Sequence, residues 1–295
     1  MPLLRINAAV QGLCLHGSAQ PVASALSQRL AGRDPVVVMV HGYKYSPFVA
    51  DHCPHARLFH AQGWPAGLGV FDGSQSAIAF GWHARGGLRT AHSHALERAV
   101  RLAELVRALR GRGPVHLITH SLGATLVLAA LPYLNEGDVA RIVVLNGAAH
   151  LGLARHALAT PCGQAATLFH VTSRENRFYD LGFEAIVAGS GTMGRGLQAR
   201  NTVEIQISCA QTLAGLRGLG YDIAPPQHRV CHWSSYKRPG VMALNAALLN
   251  GALDLPQLRA IKPQVAPRWT AVLRRKSQVI RGLQSPKGPL NGRAS

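Results

Sequence analysis

Short apolar runs alternate with amphipathic segments along most of this chain. Five runs have the length and the β-branched content of buried strands: PVVVMV (35–40), AIAFGW (77–82), VHLIT (115–119), RIVVLNG (141–147) and TLFHVTS (167–173). Residues 92–110 and 121–134 have the pattern of helices. Strands that are apolar throughout and are separated by helices indicate a parallel sheet covered on both faces. We therefore predict an α/β fold with a mostly parallel, doubly wound sheet, to which residues 1–34 add an antiparallel lead-in strand.

The domain organisation follows from length and composition. The chain has 295 residues and an apolar fraction of 47%, enough for a sizeable core. We predict a single domain over residues 1–261. Residues 262–295 contain no acidic residue and end in SPKGPLNGRAS, a Pro/Gly/Ser-rich composition typical of a flexible tail.

Charge adds one further possibility for function. Lysine and arginine outnumber acidic residues by 31 to 13, a formal net charge of +18. A basic tail can contact nucleic acid or an anionic membrane. Net charge alone bears on solubility and steering, so we predict a solvated tail and no specific nucleic-acid partner.

Other classes of protein are disfavoured. No window approaches the roughly 20 apolar residues of a membrane span, and the first residues lack the pattern of a secretory signal. The five cysteines are scattered without a CxxC pair, which favours reduced thiols in a cytoplasmic protein. The histidine-rich stretch DHCPHARLFH (51–60) lacks the spacing of known metal motifs, so neither a metal nor a cofactor is predicted.

The stretch THSLG (119–123) lies directly between a predicted strand and a predicted helix. A serine at such a sharp turn, Ser121 here, is exposed above the sheet, and the helix N-terminus directs free N–H groups towards the reacting oxygen. The residues two before and two after the serine must be small. Gly123 meets this demand, whereas Thr119 stands where glycine is usual. A serine also suits the N-cap of a helix, so the pentapeptide alone leaves both roles open.

A second motif, His41-Gly42-Tyr43, follows the first predicted strand of the core. Glycine allows the backbone to approach a substrate closely, and N–H groups near Gly42 and Tyr43 can join that of Leu122 in an oxyanion hole. The alternative is an ordinary turn between strand and helix. His41 precedes the serine, and we expect it to form structural hydrogen bonds.

The order of strand–HG, strand–GW, helix and strand–HSxG–helix resembles the α/β-hydrolase superfamily from about Pro35 to Leu249. The resemblance implies a serine nucleophile, then an acid after a later strand, then a histidine near the end of the domain. It also implies that many members insert a lid. Only about twenty residues separate the last two predicted strands here, so we expect little or no lid.

The acid and the histidine each have two candidates. Glu175 directly follows the strand TLFHVTS, and Asp180 lies five residues further on. We favour Glu175 because of its place at the strand end. Of His228 and His232, we favour His232 as general base, because Val230 and Cys231 before it suit the end of a short strand. His120 is expected to pack or to hydrogen-bond a loop.

These residues predict a serine hydrolase that cleaves an ester, thioester or amide of a small-molecule acyl substrate, carboxylesterase-like by default. Trp82 and Trp233 follow strand ends and are candidates to line the pocket. Two alternatives stay open: a non-catalytic binding protein of the same fold that uses its basic tail, and an acyltransferase with the same triad.

Overall fold

Eight strands form one sheet at the centre of the molecule. The computed structural model describes residues 3–261, apart from residues 31, 33, 73–75, 190 and 198. The strands are β1 Leu3–Ala8, β2 Leu13–Leu15, β3 Val36–Val40, β4 Ser76–Trp82, β5 Val115–His120, β6 Arg141–Leu145, β7 Thr167–Thr172 and β8 Thr202–Gln206. Their spatial order is β2-β1-β4-β3-β5-β6-β7-β8, and every neighbouring pair is parallel except β1 with β2.

Helices cover both faces of this sheet. In chain order they are α1 Val22–Arg29, α2 Pro54–Arg57, α3 Trp64–Gly67, α4 Leu88–Ala108, α5 Gly123–Ala130, α6 Leu151–Ala159, α7 Pro161–Ala165, α8 Arg177–Ile186, α9 Ala210–Gly218, α10 Ser234–Lys237, α11 Val241–Asn250 and α12 Leu255–Ala260. Single 3-10 turns occur at Ala50–His52, Val70–Asp72, Leu131–Tyr133, Arg174–Asn176 and Met193–Arg195.

Strand β3 shows why the apolar runs are continuous rather than alternating. Successive side chains of a strand point to opposite faces of the sheet. Val36, Val38 and Val40 pack in one core, with residues of α1, α4, α5 and α6. Val37 and Met39 pack in a second core, with residues of α3, α9, α11 and α12. Both faces of the strand are therefore buried, as expected for a doubly wound sheet.

The α/β fold with a mostly parallel sheet flanked by helices is confirmed, and the differences lie at the sheet edges. Strand β1 is parallel to β4, so only β2 is the antiparallel addition. Strand β8, in the stretch TVEIQ, was not predicted. Its side chains at Glu204 and Gln206 are half-buried, since β8 is an edge strand and needs no continuous apolar run.

The predicted short strand at Val230–Cys231 is wrong, because residues 222–233 form a loop. The predicted tail, residues 262–295, lies outside the described residues, and its boundary with the domain stays a prediction.

The fold buries several uncharged histidines, which should make it acid-sensitive. Burial is the main cause of the lowered pKa in each, and the pKa is lowered furthest in five of them: His41, His116 and His120, to about 4, and His55 and His232, to about 2. The unfolded chain binds these protons near pH 6.5, so the stabilisation is present above that pH and is lost as the pH falls.

We expect urea denaturation to show a free energy of unfolding that decreases from pH 7 towards pH 5. His116→Gln should reduce this slope by up to about 1.4 kcal/mol per pH unit. The exposed His156→Gln is the matched control and should leave the slope unchanged. A free energy that is constant between pH 7 and pH 5 would contradict the prediction.

Candidate active site

Ser121 occupies a sharp turn between β5 and α5. Its φ is 54°, a left-handed backbone conformation that is unfavourable for a residue other than glycine. The turn is held by the surrounding backbone. The N–H of Ser121 donates to the carbonyl oxygen of Leu145 at 3.0 Å, and its own carbonyl accepts from the N–H groups of Ala124 and Ala148, both at 2.9 Å. Ser121 is therefore in the conformation expected of a nucleophile elbow.

Two glycines allow other backbone to pass close to this turn. A Cβ at Gly42 would lie 2.9 Å from Cβ of Ser121 and 2.7 Å from the carbonyl oxygen of His120. A Cβ at Gly123 would lie 2.3 Å from Oγ1 of Thr119. The side chain of Thr119 thus fills the space that a side chain at position 123 would need. The turn can therefore accommodate a threonine where glycine is usual, because the residue at position 123 is a glycine and leaves room for it.

The imidazole ring of His232 connects Ser121 to Asn176. Nε2 of His232 lies 2.7 Å from Oγ of Ser121, and Nδ1 lies 2.6 Å from Oδ1 of Asn176. An amide oxygen only accepts hydrogen bonds, so Nδ1 carries the proton. In the neutral ring Nε2 then accepts the hydrogen bond from the Ser121 hydroxyl. This is the tautomer that a general base for Ser121 requires.

The ring of His232 is electrically neutral at physiological pH. Burial, together with the neighbouring His120, lowers the pKa of His232 to about 2. Tyr179 stacks on the ring at a centroid distance of 4.4 Å and an interplanar angle of 20°. The ring is therefore fixed in place and covered on one face by Tyr179.

Two side chains hold the backbone of His232. Its carbonyl oxygen accepts from Nε2 of His120 at 2.9 Å and from Nδ2 of Asn146 at 3.0 Å. Asn146 follows β6, has φ of 44°, and also accepts at Oδ1 from the N–H of Ser173. The ends of β5, β6 and β7 thus jointly support the loop that contains His232. His120 has the loop-bonding role expected of it.

Glu175 has a different place from the one predicted. None of the hydrogen bonds among the described residues joins its carboxylate to the imidazole of His232. Instead, the buried carboxylate pairs with the buried guanidinium of Arg238 and accepts from Oγ of Ser173 at 2.8 Å. It also accepts from the N–H of His228, and the Glu175 carbonyl accepts from the N–H of Cys231. Glu175 therefore anchors the loop in front of His232.

Sequence reasoning missed Asn176, whose amide occupies the position expected of the acid. Residues 174–176 form a 3-10 turn, which has about three residues per turn, so neighbouring side chains point in directions about 120° apart. Glu175 and Asn176 cannot both face His232. The available signal was the residue type, since an asparagine orients the histidine in Cys-His-Asn sites.

Asp180, the alternative acid, contacts Asn176 rather than His232. Its Oδ1 accepts from Nδ2 of Asn176 at 3.0 Å. Burial and the nearby carboxylate of Glu184 raise the pKa of Asp180 to about 7, against the opposing effect of the Asn176 hydrogen bond. Four side chains, those of Ser121, His232, Asn176 and Asp180, thus form one continuous series of hydrogen bonds.

Three features together decide the fold: the sheet order, the two helical layers, and the left-handed backbone of Ser121 after the central strand β5. The chain has the α/β-hydrolase fold. No family model matches the sequence, and comparison with curated proteins finds no relative.

Several solved structures are similar to this α/β-hydrolase fold at low identity. TT1662 from Thermus thermophilus is 14% identical, with 75% of this chain and 89% of that chain covered and a TM-score of 0.41. A cold-adapted esterase from an Arctic intertidal metagenomic library is 13% identical, with coverage of 76% and 84% and a TM-score of 0.40. A lipase-esterase related protein from Clostridium acetobutylicum is 10% identical, with coverage of 58% and 84% and a TM-score of 0.36. The assignment of the fold rests on the sheet and on the turn at Ser121.

A pocket of about 420 Å³ opens in front of Ser121 and His232. Apolar and aromatic residues line much of it, among them Tyr43, Leu88, Leu122, Tyr179, Phe183 and Trp233. Lys44, Asp51 and Arg57 line it as well. Trp233 is among the lining residues, whereas Trp82 is not. Trp82 is fully buried, and its indole N–H donates to the carbonyl oxygen of His41 at 3.0 Å.

The backbone around the predicted oxyanion hole is ordered by His41. Nδ1 of His41 donates to the carbonyl oxygen of Gly42 at 2.8 Å, and Nε2 accepts from the N–H of Trp82 at 3.0 Å. Burial lowers the pKa of His41 to about 4, so the ring is neutral and structural. The N–H groups of Tyr43 and Leu122 take no part in the backbone hydrogen bonds found outside helices and strands in the described part of the chain.

The described residues also bear on metal binding and on membrane insertion. Within residues 3–261, less the seven undescribed positions, no group of three or more His, Cys, Asp or Glu side chains is arranged to hold a metal ion. None of the helices in that part of the chain combines the length and the apolar character needed to cross a bilayer.

The close packing at Gly123 predicts a specific steric effect. Gly123→Ala should lower the free energy of unfolding by about 1–3 kcal/mol, because the new methyl group overlaps Thr119 and the carbonyl oxygen of His41. Gly182→Ala is the matched control: it lies inside α8 with open space around it, and it should stabilise by up to about 1 kcal/mol. Urea denaturation measures both. Equal effects of the two substitutions would refute the packing argument.

The buried ion pair with Arg238 indicates that Glu175 stabilises the folded protein, and this role can be tested by stability measurements alone. Glu175→Gln should cost about 3–5 kcal/mol of unfolding free energy, because it leaves a buried guanidinium without its counter-charge. The double variant Glu175→Leu/Arg238→Met removes both charges and should recover much of that loss. Asp222→Asn, which breaks the exposed pair with Arg217, is the control and should change little. A double variant no more stable than Glu175→Gln would count against this role.

Proposed function

We propose that this chain is a serine hydrolase that cleaves an ester-type bond through an acyl-enzyme on Ser121. The observation that supports this most directly is the 2.7 Å separation of Ser121 Oγ and His232 Nε2, at a left-handed turn facing a pocket. A helix N-cap needs neither a left-handed serine nor an imidazole within hydrogen-bonding distance of its hydroxyl. The N-cap of α5 is in fact Leu122.

The proposed chemistry proceeds in two halves. Ser121 Oγ attacks the carbonyl carbon of the substrate while Nε2 of His232 takes the hydroxyl proton, and the resulting imidazolium then protonates the leaving group. Water deprotonated by the same nitrogen attacks the acyl-enzyme, and the imidazolium returns that proton to Ser121 Oγ as the acid leaves. Ester, thioester and amide substrates all follow this scheme, with a carboxylic ester as the default.

Backbone N–H groups of Tyr43 and Leu122 are assigned to the oxyanion hole. Gly42 approaches Cβ of Ser121 so closely that a Cβ would not fit, which supports a role for the loop after β3 beside Ser121. The hydrogen bond from His41 to the carbonyl oxygen of Gly42 fixes the peptide between Gly42 and Tyr43. Donors that are fixed before the reaction stabilise a tetrahedral oxyanion most effectively.

Asn176 is assigned the orienting role that the sequence suggested for Glu175. It accepts the Nδ1–H of His232 and so keeps Nε2 free to act as a base. A neutral amide gives the imidazolium less electrostatic stabilisation than a carboxylate would. The negative charge of Glu175 is engaged by Arg238 instead.

A fluorophosphonate probe tests the assignment of the nucleophile. The wild-type protein should be labelled on Ser121, and Ser121→Ala should not be labelled, because the probe forms its covalent bond with an activated serine. His232→Ala should reduce kcat/KM for a soluble ester by about 1,000-fold or more, since the nucleophile then lacks its base. His228→Ala is the matched control and should retain most of the activity. Equal labelling of wild type and Ser121→Ala would reject the proposed function.

A further inference from the structure

Asp180 is the outermost member of the hydrogen-bonded series that begins at Ser121. The three links measure 2.7 Å from Ser121 to His232, 2.6 Å from His232 to Asn176, and 3.0 Å from Asn176 to Asp180. Asp180 lies in the first half of α8 and lines the same pocket as Ser121. Within this series Asp180 contacts Asn176 and not the imidazole, so its hydrogen-bonded link to His232 passes through Asn176.

The asparagine amide is directional, and this gives Asp180 a specific task. An amide turned by 180° would present Nδ2 to His232, and the imidazole would then have to accept at Nδ1 and carry its proton on Nε2. A ring protonated on Nε2 cannot take the proton of Ser121. Because Asp180 accepts from Nδ2, the amide keeps Oδ1 towards His232. Asp180 thereby selects the reactive tautomer of His232 through the intervening amide of Asn176.

The charge of Asp180 provides a second effect. When His232 takes the serine proton it becomes an imidazolium, which a carboxylate behind the amide stabilises through a low-dielectric region. Asn176 between them is buried, whereas Asp180 and His232 are half-buried, so solvent screens this interaction only in part. A protonated Asp180 still accepts from Asn176 through its carbonyl oxygen, but it no longer supplies the charge.

We propose that Asp180 is a positioning residue which fixes the amide of Asn176, and that loss of its negative charge switches the site to a slower state. The proposal rests on the serine hydrolase function proposed above. In this proposal four side chains form the site, and the carboxylate of Asp180 acts on His232 through the neutral amide of Asn176.

The groups around Asp180 set the pH at which the switch occurs. Burial, followed by the charge of Glu184 and more weakly that of Glu204, raises the pKa of Asp180 to about 7. Glu184 itself pairs with Arg195 and accepts from the N–H of Thr192. The pocket is also lined by Lys44, Asp51, His52 and Arg57, and helix α4 places Arg89 and His92 against α8. As the pH rises through about 7, Asp180 becomes charged, and kcat/KM should rise from a lower to a higher plateau.

The test compares kcat/KM for a soluble, uncharged ester between pH 5 and pH 9 in wild type and Asp180→Asn. An asparagine at this position keeps an acceptor for Asn176 but never carries charge. We expect the wild-type profile to show a step near pH 7, and the variant to remain at the lower plateau, about tenfold below wild type at pH 9. A tenfold change corresponds to one pKa unit in the stability of the imidazolium.

Two controls isolate the carboxylate. Asp222→Asn, an exposed carboxylate paired with Arg217, should retain the wild-type step. Glu184→Gln should move the midpoint to lower pH, because it removes the negative charge that raises the pKa of Asp180. Carboxyl carbon NMR, with the resonance assigned by its loss in Asp180→Asn, should report the same midpoint as the activity profile.

A charge-swap variant keeps the test decisive if Asp180→Asn alone weakens folding. In Asn176→Asp/Asp180→Asn, a carboxylate accepts directly from Nδ1 of His232, and the new amide at position 180 donates back to it. We expect the swap to regain activity relative to Asp180→Asn and to lose the step near pH 7.

Different variants test the role of Asp180 and the proposed hydrolase function. A step near pH 7 that persists in Asp180→Asn would assign the titration to another group and would overturn the inference, while Ser121→Ala would still be inactive. Activity retained in Ser121→Ala would overturn the proposed function itself.

Discussion

The left-handed backbone of Ser121 is the constraint on which the site depends. A non-glycine residue in this conformation is held there only if the surroundings compensate for it, with a cost on the order of 1–3 kcal/mol. Three backbone hydrogen bonds do so here, from β6, from the first turn of α5 and from the segment after β6. The close approach of Gly42 and the small size of Gly123 follow from the same turn. The rest of the site is arranged around a serine hydroxyl whose position is thereby fixed.

The histidine has no regular element of its own, so its position depends on contacts from other parts of the chain. The loop before α10 is attached at three places: the Glu175 side chain and carbonyl, the ring of His120, and the amide of Asn146. Each of these residues lies at or just beyond the carboxyl end of a parallel strand. Ligand sites of open α/β sheets occur at this edge because the loops there converge. The sheet therefore positions His232 as well as Ser121.

In a Ser-His-Asp arrangement one carboxylate supplies both a negative charge and a hydrogen-bond acceptor, whereas here these two properties belong to the adjacent residues Glu175 and Asn176. Glu175 contributes its charge to a buried ion pair with Arg238, which stabilises the fold, and Asn176 contributes its hydrogen-bonding geometry to His232. Burial explains the separation. A carboxylate this deeply buried needs a cation, and a carboxylate already paired with arginine is a poor partner for an imidazole that must become positive. The amide orients the ring without either requirement.

The sequence by itself determined the parallel sheet and the position of the turn at Ser121, and chain order narrowed the histidine to His228 and His232. Those features depend on local patterns, namely apolar runs of strand length, glycines at fixed offsets, and chain order. Only the tertiary structure decided that Asn176, and not Glu175, faces His232. That choice depends on Arg238, which is 63 residues from Glu175 in the chain and takes its carboxylate, and on the direction of side chains in one 3-10 turn. Contacts between distant segments leave no periodic signal in a single sequence, whereas burial on both faces of a strand does.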